Sequence, residues 1–438
     1  MGHRWLLCLL SFQVLSVPVQ LDDIHGDDAL LIQSLTLKLL RSTDDPYKPL
    51  NPSVHLGLRL SREHNLEKEA QYLQKLREVF QPTLGSSTHS DQEEPSTGLL
   101  ALYILALRAS CEDFNTHPNR RLISQLKHLL HEEKQHIGLK GFPISNFYQY
   151  SLGVLSLCLT QKVIDHHVIE KLVHAQEEDK FSHNQHTSVD TEAVAGLAFL
   201  CLQHSNLYPA FLMEKLRNAT IAVKEKLVQN QTPGEPDILG NIYSTSLALQ
   251  FLWALEPNDN EAERSKFISI LLNGVKKEHF KNPMPISQLL PVLHHKNYLD
   301  IAKLNCKDEQ ETPSLDWVPG SRGSKVNVLE DDEIFVWLSV KVGTGSSMEY
   351  SKLLYVRSGS SLLDVLRTAQ KDKSQDFTFE TKVTLSGKML TAVKGIEASG
   401  TERTYWQLIK APDTPLLEGI EDYIPKKNEH IILRLAKW

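Results

Sequence analysis

The strongest constraint on the fold is a run of helix-length segments that are apolar on most of their faces. Each segment is rich in alanine, glycine or serine, and an α-helix that is apolar all round has to be buried. Small residues also allow neighbouring helices to approach closely. The five segments are Gly98–Leu107, Tyr150–Leu157, Thr191–Leu200, Ser244–Leu252 and Ile286–Leu293.

Amphipathic, charged helices are predicted between these buried segments. The two kinds alternate with a period of roughly 40–50 residues, which is typical of helical-hairpin repeats. The pattern predicts an α/α barrel with the buried helices inside; the alternative is an open solenoid. Divergent repeats without polar end caps favour the barrel. The amphipathic segments are Arg121–Leu130, Val168–Val173, Ala222–Val228 and Phe267–Leu272.

A second domain is expected because 438 residues are too many for one typical core. Residues 308–332 are rich in Pro, Gly, Ser and charge, which predicts a linker. Strand-like segments follow, with one helix that begins after Ser361. We therefore predict a mainly α protein with a small C-terminal α+β domain. The expected boundaries are 1–18 for a signal peptide, 19–307 for the barrel, 308–332 for the linker and 333–438 for the small domain.

The N-terminus has the pattern of a signal peptide, with a basic start followed by the apolar run Trp5–Leu15. Cleavage is expected between Ser16 and Gln20, and the protein is expected to be secreted and extracellular. The alternative is a buried N-terminal helix. Asn218-Ala-Thr220 and Asn230-Gln-Thr232 are glycosylation sequons.

Four cysteines lie outside the N-terminal segment, and an even number in a secreted chain suggests two disulfides with three possible pairings. Cys158 and Cys201 lie near the ends of two successive buried helices, at similar heights. Their position favours a bond between them, which leaves Cys111 to pair with Cys306.

Several functional classes fit the sequence poorly. A formal net charge of −7 argues against general nucleic-acid binding, and no apolar run beyond the N-terminus is long enough to insert in a membrane. Motifs for a nucleophilic serine, a phosphate-binding loop or a zinc protease are absent. A glycoside hydrolase needs two facing carboxylates. Only Asp190 is clearly placed for that role, with Glu192 two residues further into the helix.

Polar loops precede all five buried helices, and alternating helix directions bring these loops to one rim of the barrel. They carry amide, hydroxyl or phenol groups, so the rim is predicted to hold one large ligand. His186 offers a single imidazole, which suits a metal already inside a cofactor. Asp190 is expected to orient His186 or to accept a hydrogen bond from the ligand; the alternative is that it caps its helix, and the two roles are compatible. The loops are Pro95–Gly98, Ser145–Tyr150, His186–Thr191, Gly240–Thr245 and Pro285–Gln288.

Particular motifs along essentially the whole chain resemble the cobalamin-transport protein family that includes transcobalamin, intrinsic factor and haptocorrin. The resemblance implies an α6/α6 barrel followed by a small α/β domain, with cobalamin and its cobalt buried between them. The motifs are Leu50–Ser53, Gly57–Ser61, Ala101–Ala109, Tyr148–Tyr150, Ser188–Thr191, Gly240–Thr245, Ile286–Leu293, Tyr405–Leu408 and Thr414–Leu417.

The resemblance also implies particular ligand contacts and partners. His186 is expected as the upper axial ligand of cobalt, and the family's disulfides imply the same two cysteine pairs. A monomeric carrier without enzymatic activity, taken up through a cell-surface endocytic receptor, is expected. The expected contacts are Ser145, Asn146, Phe147, Tyr148, Gln149, His186, Thr187, Ser188, Val189, Asp190, Asn241, Ser244, Gln288, Trp406, Gln407 and Leu408.

The chain departs from the family pattern in three places. Leu99 stands where a glutamine often contacts the ligand, Ser145-Asn-Phe147 replaces Thr-Ser-Tyr, and a further N-terminal disulfide lacks both cysteines. Binding is expected to survive these departures, with altered selectivity among corrinoids. The alternative functions are a secreted α/α-barrel glycoside hydrolase with an accessory β domain and a module that binds only proteins.

Overall fold

The structure is a computed structural model. It describes residues 26–45, 49–81, 95–183, 186–232, 235–257, 261–312, 315, 333–342, 349–372, 376–400 and 402–437. The predicted signal peptide and most of the predicted linker lie outside the described residues. No helix within these ranges has both the length and the apolar character needed to cross a membrane.

The described part of the N-terminal domain forms twelve α-helices, in which buried and partly exposed helices alternate. The helices of the inner layer are α2 (Pro52–Arg59), α4 (Thr97–Ala109), α6 (Phe147–Leu159), α8 (Val189–Ser205), α10 (Ser244–Leu255) and α12 (Pro283–Leu293). The helices of the outer layer are α1 (Gly26–Ser42), α3 (Leu66–Phe80), α5 (His117–Lys140), α7 (His166–Glu177), α9 (Ala210–Gln229) and α11 (Glu261–Lys276).

The inner helices form a closed ring. Each one contacts the next, and α12 returns to contact α2. At this closing contact Gly57 lies so near the partner helix that a Cβ atom would be 2.7 Å from the Cα atom of Ser287. The barrel predicted from the alternation is therefore confirmed, and the open solenoid is wrong. Helix α2 was not among the five predicted inner segments because its eight residues are too few to show a periodic pattern.

The inner helices begin at one rim, where polar side chains satisfy their first backbone N–H groups. Ser188 caps α8 and accepts a hydrogen bond from the Thr191 backbone. Asp190 therefore lies in the first turn of α8, and its predicted role as a helix cap is wrong. The other capping side chains are Asn51 for α2, Ser96 for α4, Asn146 for α6 and Asn282 for α12.

Two disulfides, Cys111–Cys306 and Cys158–Cys201, stabilise the barrel with the expected pairing. Next to Cys306, the buried Arg59 guanidinium donates hydrogen bonds to Glu69 at 2.9 Å and to Glu309 at 2.5 Å. Thr312 and the His64 backbone also exchange hydrogen bonds. The chain from Glu309 to Thr312, at the start of the predicted linker, is thus attached to the barrel.

Short elements connect the helices. A hairpin of β1 (Ser182–His183) and β2 (His186–Thr187) precedes α8, and β3 (Gln231–Thr232) and β4 (Glu235–Leu239) precede α10. A 3₁₀ helix, Tyr298–Lys303, follows α12. Within the first hairpin His183 pairs with His186, and the Ser188 N–H donates to the Phe181 carbonyl at 3.0 Å. The hairpin therefore leads directly into the start of α8 at the rim.

The C-terminal domain has the predicted α+β character. Its main sheet has the order β11-β10-β12-β5-β6, in which only β12 and β5 are parallel. A second sheet, β7-β8-β9, and one helix complete the part of this domain that the structure describes. The elements are β5 (Glu333–Lys341), β6 (Tyr350–Arg357), α13 (Leu362–Lys371), β7 (Phe379–Thr384), β8 (Gly387–Val393), β9 (Ile396–Glu397), β10 (Thr404–Lys410), β11 (Thr414–Pro415) and β12 (His430–Lys437).

The C-terminal domain docks on the rim of the barrel through the turn between β7 and β8. Leu385 at this turn is 7% exposed and belongs to the hydrophobic core of the barrel. The Asn51 side chain donates a hydrogen bond to the Leu385 carbonyl at 2.9 Å. Gly98 lies directly beneath, where a Cβ atom would be 2.7 Å from both Leu385 Cδ1 and Gln149 Cγ. The rim is thus covered by the second domain.

Candidate binding site between the two domains

Two neighbouring cavities lie between the barrel rim and the C-terminal domain. The first has a volume of about 440 Å³ and the second about 780 Å³. Volumes of this size are typical of sites for small organic ligands. Ser145, Asn146, Tyr148, Ser386 and Gly419 line both cavities. Because the lining comes from both domains, an enclosed ligand would contact both.

Most of the predicted contact residues line these cavities. The starts of four inner helices converge on the first cavity, as expected from loops gathered at one rim. The residues that line it are Ser145, Asn146, Phe147, Tyr148, Ser188, Asp190, Asn241, Ser244 and Gln288, while Gln149, Trp406 and Leu408 line the second.

Three predicted contacts that the structure describes, Thr187, Val189 and Gln407, do not line either cavity. Val189 is buried in the barrel core, where it lies under Gly240. The Gln407 amide oxygen accepts hydrogen bonds from the Arg434 guanidinium at 2.8 and 3.2 Å. Thr187 lies in β2, before the helix cap. Leu99, the departure from the family pattern, likewise packs against the core. The side chain of His186 lies outside what the structure describes.

Asp190 faces the first cavity and is held by a neighbouring inner helix. Its Oδ2 atom accepts a hydrogen bond from the Ser244 hydroxyl at 3.0 Å. Burial raises the pKa of the Asp190 carboxyl, and the hydrogen bond from Ser244 opposes this effect. Burial also raises the pKa of Tyr148, so its phenol keeps its proton. The Gln288 amide lies 3.4 Å from that phenol. Hydroxyl, phenol and amide groups therefore dominate this side of the cavity.

Glu133 supports the rim and was missed from the sequence. It lies on outer helix α5, is 2% exposed, and accepts hydrogen bonds from Ser145 and Thr97. A glutamate in an apolar helical stripe was the available signal, because Leu126 and Leu130 precede it and Ile137 follows on the same face. This sequence pattern predicts that the carboxylate is buried, but it does not predict which hydrogen-bond donors the carboxylate contacts.

Glu192, considered as the second carboxylate of a glycoside hydrolase, does not line either cavity in the described residues. It is fully buried and lies 3.3 Å from the Lys226 ammonium. Burial raises its pKa to about 7, and Lys226 opposes the shift. Asp190 and Glu192 therefore do not form a facing pair, and the sequence-based hydrolase alternative loses its proposed acid and base.

The C-terminal domain contributes charged groups that the sequence did not predict. The Tyr243 hydroxyl donates a hydrogen bond to Glu418 at 2.8 Å, and the Asn282 amide donates to Asp422. Arg403 lies with its guanidinium carbon 5.8 Å from the centre of the Phe142 ring. These side chains come from turns whose approach to the barrel depends on domain docking, so no local pattern indicates them.

One group of possible metal ligands is found in the described residues, and it lies at the start of outer helix α7. Asp165, His166 and His167 are exposed, and Asp165 already caps the helix and accepts a hydrogen bond from Lys134 at 2.7 Å. These groups lie on an outer helix and are not part of either cavity lining.

Comparison with known proteins identifies relatives along the whole chain. A family described as eukaryotic cobalamin-binding protein matches residues 4–322, and a domain of unknown function matches residues 359–437. Transcobalamin-2 of Mus musculus is 42% identical over 424 residues, covering 94% of each chain. Transcobalamin-2 of Homo sapiens is 40% identical over 441 residues, covering 98% of each.

A more distant sequence relative and a solved structure also match most of the chain. Cobalamin binding intrinsic factor of Homo sapiens is 30% identical over 395 residues, covering 89% of this chain and 87% of that protein. The crystal structure of haptocorrin in complex with Cbi superposes with a TM-score of 0.75 at 24% identity, covering 96% and 100% of the two chains. At that identity the superposition supports the fold.

Proposed function

Because the chain belongs to the eukaryotic cobalamin-binding protein family, we propose that it is a secreted carrier that encloses cobalamin between its two domains. The family consists of carriers without enzymatic activity. The observation that carries the proposal is the pair of cavities lined by both domains. Their lining combines amides and hydroxyls with apolar side chains, which suits a large ligand with a polar periphery.

His186 is proposed to bind the cobalt of the enclosed ligand. The backbone supports this role, because β2 ends one residue before Ser188, which lines the first cavity. A neutral imidazole is a suitable ligand for a transition metal. Protonation of the imidazole competes with the metal, so cobalt–imidazole bonding should weaken as the pH falls.

Slow release is proposed to come from closure of the two domains. Bonds from Asn51, Tyr243 and Asn282 to the C-terminal domain can form only while the domains are docked. All of these hydrogen bonds have to break before the ligand can leave. Differences in affinity between related complexes usually lie in the dissociation rate.

The ligand is tested by titrating the full-length secreted protein with aquocobalamin and recording the visible spectrum. We expect a stoichiometric spectral change that is lost in His186→Ala. The matched control is His183→Ala, which changes the residue paired with His186 in the hairpin and should keep the change. A wild-type spectral change in both variants would show that His186 does not bind cobalt, while the carrier function would still stand. Failure of the wild type to bind aquocobalamin would refute the carrier function.

Secretion and delivery through an endocytic receptor are also proposed. Expression of the whole chain in cultured eukaryotic cells should give protein in the medium that begins between Ser16 and Gln20. Glycosylation is expected at Asn218, which is exposed on α9, and removal of N-glycans would reveal it. Uptake of labelled cobalamin by cells should require the carrier, and the uptake rate should saturate as the concentration of the loaded carrier rises.

A further inference from the structure

Glu133 lies behind the rim and makes hydrogen bonds with two of its loops. One carboxylate oxygen accepts from the Ser145 backbone N–H at 3.1 Å. The other accepts from the Ser145 hydroxyl at 2.5 Å and the Thr97 hydroxyl at 2.9 Å. The buried carboxylate thus fixes the segment that lines both cavities, although Glu133 itself is not part of the lining.

This contact fixes the direction of the Ser145 hydroxyl. The Ser145 hydroxyl is the donor in this hydrogen bond, so its proton points toward Glu133. The other acceptor near the hydroxyl, the Asn146 carbonyl at 3.4 Å, would also require the hydroxyl to donate. The oxygen lone pairs of Ser145 are then left to face the cavity. A similar arrangement occurs where the Ser244 hydroxyl donates to Asp190.

Each serine has an asparagine near it, and this asparagine presents a hydrogen-bond donor where the serine presents an acceptor. The Asn146 side-chain oxygen accepts a hydrogen bond from the Gln149 backbone at 2.9 Å. The Asn241 side-chain oxygen accepts from the Tyr243 and Ser244 backbones, also at 2.9 Å. Backbone N–H groups can only donate, so both oxygens are engaged and each side-chain NH₂ group is the one left to donate.

Each Ser–Asn pair therefore presents one hydrogen-bond acceptor and one donor to the cavity. A primary carboxamide matches this pattern, because its NH₂ donates and its carbonyl accepts. A carboxylate does not match, because it would bring an acceptor toward the serine lone pairs and a negative charge toward Glu133. Sites built to pair a particular donor can discriminate strongly against an analogue that lacks it.

We propose that Glu133 is a specificity-determining positioning residue, which makes the cavity select carboxamide over carboxylate groups by holding the Ser145 hydroxyl as an acceptor. The inference rests on the proposed function, because cobalamin carries several primary amide side chains. Glu133 acts through Ser145, and Thr97 links the same carboxylate to the start of α4.

The test compares dissociation constants for cyanocobalamin and for its monocarboxylic acid derivatives, in each of which one side-chain amide is hydrolysed. We expect the wild type to bind at least one derivative at least tenfold more weakly than cyanocobalamin. Glu133→Gln should reduce that ratio at least fivefold, because the glutamine NH₂ can donate to Ser145 and turn its proton toward the cavity. Glu132→Gln, at an exposed neighbouring position, should keep the wild-type ratio.

Ser145→Ala provides an independent variant should Glu133→Gln fail to fold. It removes the proposed acceptor and should lower the same ratio, and adding Glu133→Gln should then have little further effect on it. The inference is overturned when the wild type shows no discrimination, or when folded Glu133→Gln or Ser145→Ala retains the wild-type ratio. Failure of the wild type to bind cyanocobalamin at all would instead refute the proposed function.

Discussion

Gly98 and Gly138 both lie inside helices of the barrel, but an added methyl group is expected to have opposite effects. At Gly98 it would meet Gln149 and Leu385 at 2.7 Å, whereas at Gly138 nothing lies within 4 Å. Gly98→Ala should destabilise the protein by about 1–3 kcal/mol through overpacking. Gly138→Ala should stabilise it by about 0.5–1 kcal/mol by restricting the unfolded chain.

Urea unfolding followed by circular dichroism would measure both changes. Gly98→Ala should also speed cobalamin dissociation, since Gln149 accepts a hydrogen bond from the Gly98 backbone at 3.1 Å and lines the second cavity. A stabilising effect at Gly98 would contradict the close approach of the two domains at this position.

Glu192 should make stability depend on pH. Its folded pKa of about 7 lies above the ordinary value of 4.5, so between these values the folded state binds more protons than the unfolded state. The free energy of unfolding therefore falls as the pH rises through this window. Between pH 5 and pH 8, the decrease in the free energy of unfolding should be about 1–3 kcal/mol smaller in Glu192→Gln than in the wild type.

The measurement is urea unfolding of the wild type and Glu192→Gln at several pH values. Glu225→Gln, at an exposed position on neighbouring helix α9, serves as the control and should keep the wild-type slope. If the free energy of unfolding of Glu192→Gln depended on pH as in the wild type, another group would be responsible for the pH dependence. The pKa of Glu192 itself could not be predicted from the sequence, because its burial depends on α7 and α9 packing around it.

Single residues were predictable where the chemistry is local. Asn146 and Ser188 follow the preference of small polar residues for helix starts, and Ser361 similarly caps α13. Asp190 was misassigned as a cap because Ser188, two residues earlier, also fits that preference. The hydrogen bond between Gln407 and Arg434 had no local signal, because Arg434 is 27 residues away on another strand.

Among the helices, the disulfide between α6 and α8 lends itself to a stability prediction. Cys158 and Cys201 are 43 residues apart, and opening a loop of that length should cost roughly 2–4 kcal/mol. The double variant Cys158→Ala, Cys201→Ala should therefore unfold at a lower urea concentration, with a nearly unchanged visible spectrum when loaded with cobalamin. Unchanged stability would indicate that packing alone sets the spacing of the two helices.

Helices were easier to predict than strand pairing. The apolar character of α4, α6, α8 and α10 is visible within each segment, whereas α2 is too short to show it. In the C-terminal domain strand-like segments were predicted after the linker, but the parallel pairing of Ile431 with Leu338 joins segments 93 residues apart in the sequence. Such pairing depends on the whole domain and leaves no local pattern.

For the molecule as a whole, Leu385 is expected to be the main apolar anchor between the domains. Leu385→Ala should increase the cobalamin dissociation rate by about ten- to a hundredfold, since truncating a buried leucine costs about 2–5 kcal/mol and relaxation recovers part of it. Val383→Ala, at an exposed position in the same hairpin, is the matched control. Equal dissociation rates for the two variants would place the anchor elsewhere.

Both disulfides lie within the helical domain, so a single stretch of chain joins the two domains covalently. While it is intact, the second domain stays near the rim at an effective concentration of the order of millimolar. One cut between residues 315 and 333 would turn reclosure into an encounter between separate molecules. At high dilution a cut at that stretch would therefore slow reclosure after each opening and favour loss of the ligand, without altering any residue that lines the cavities.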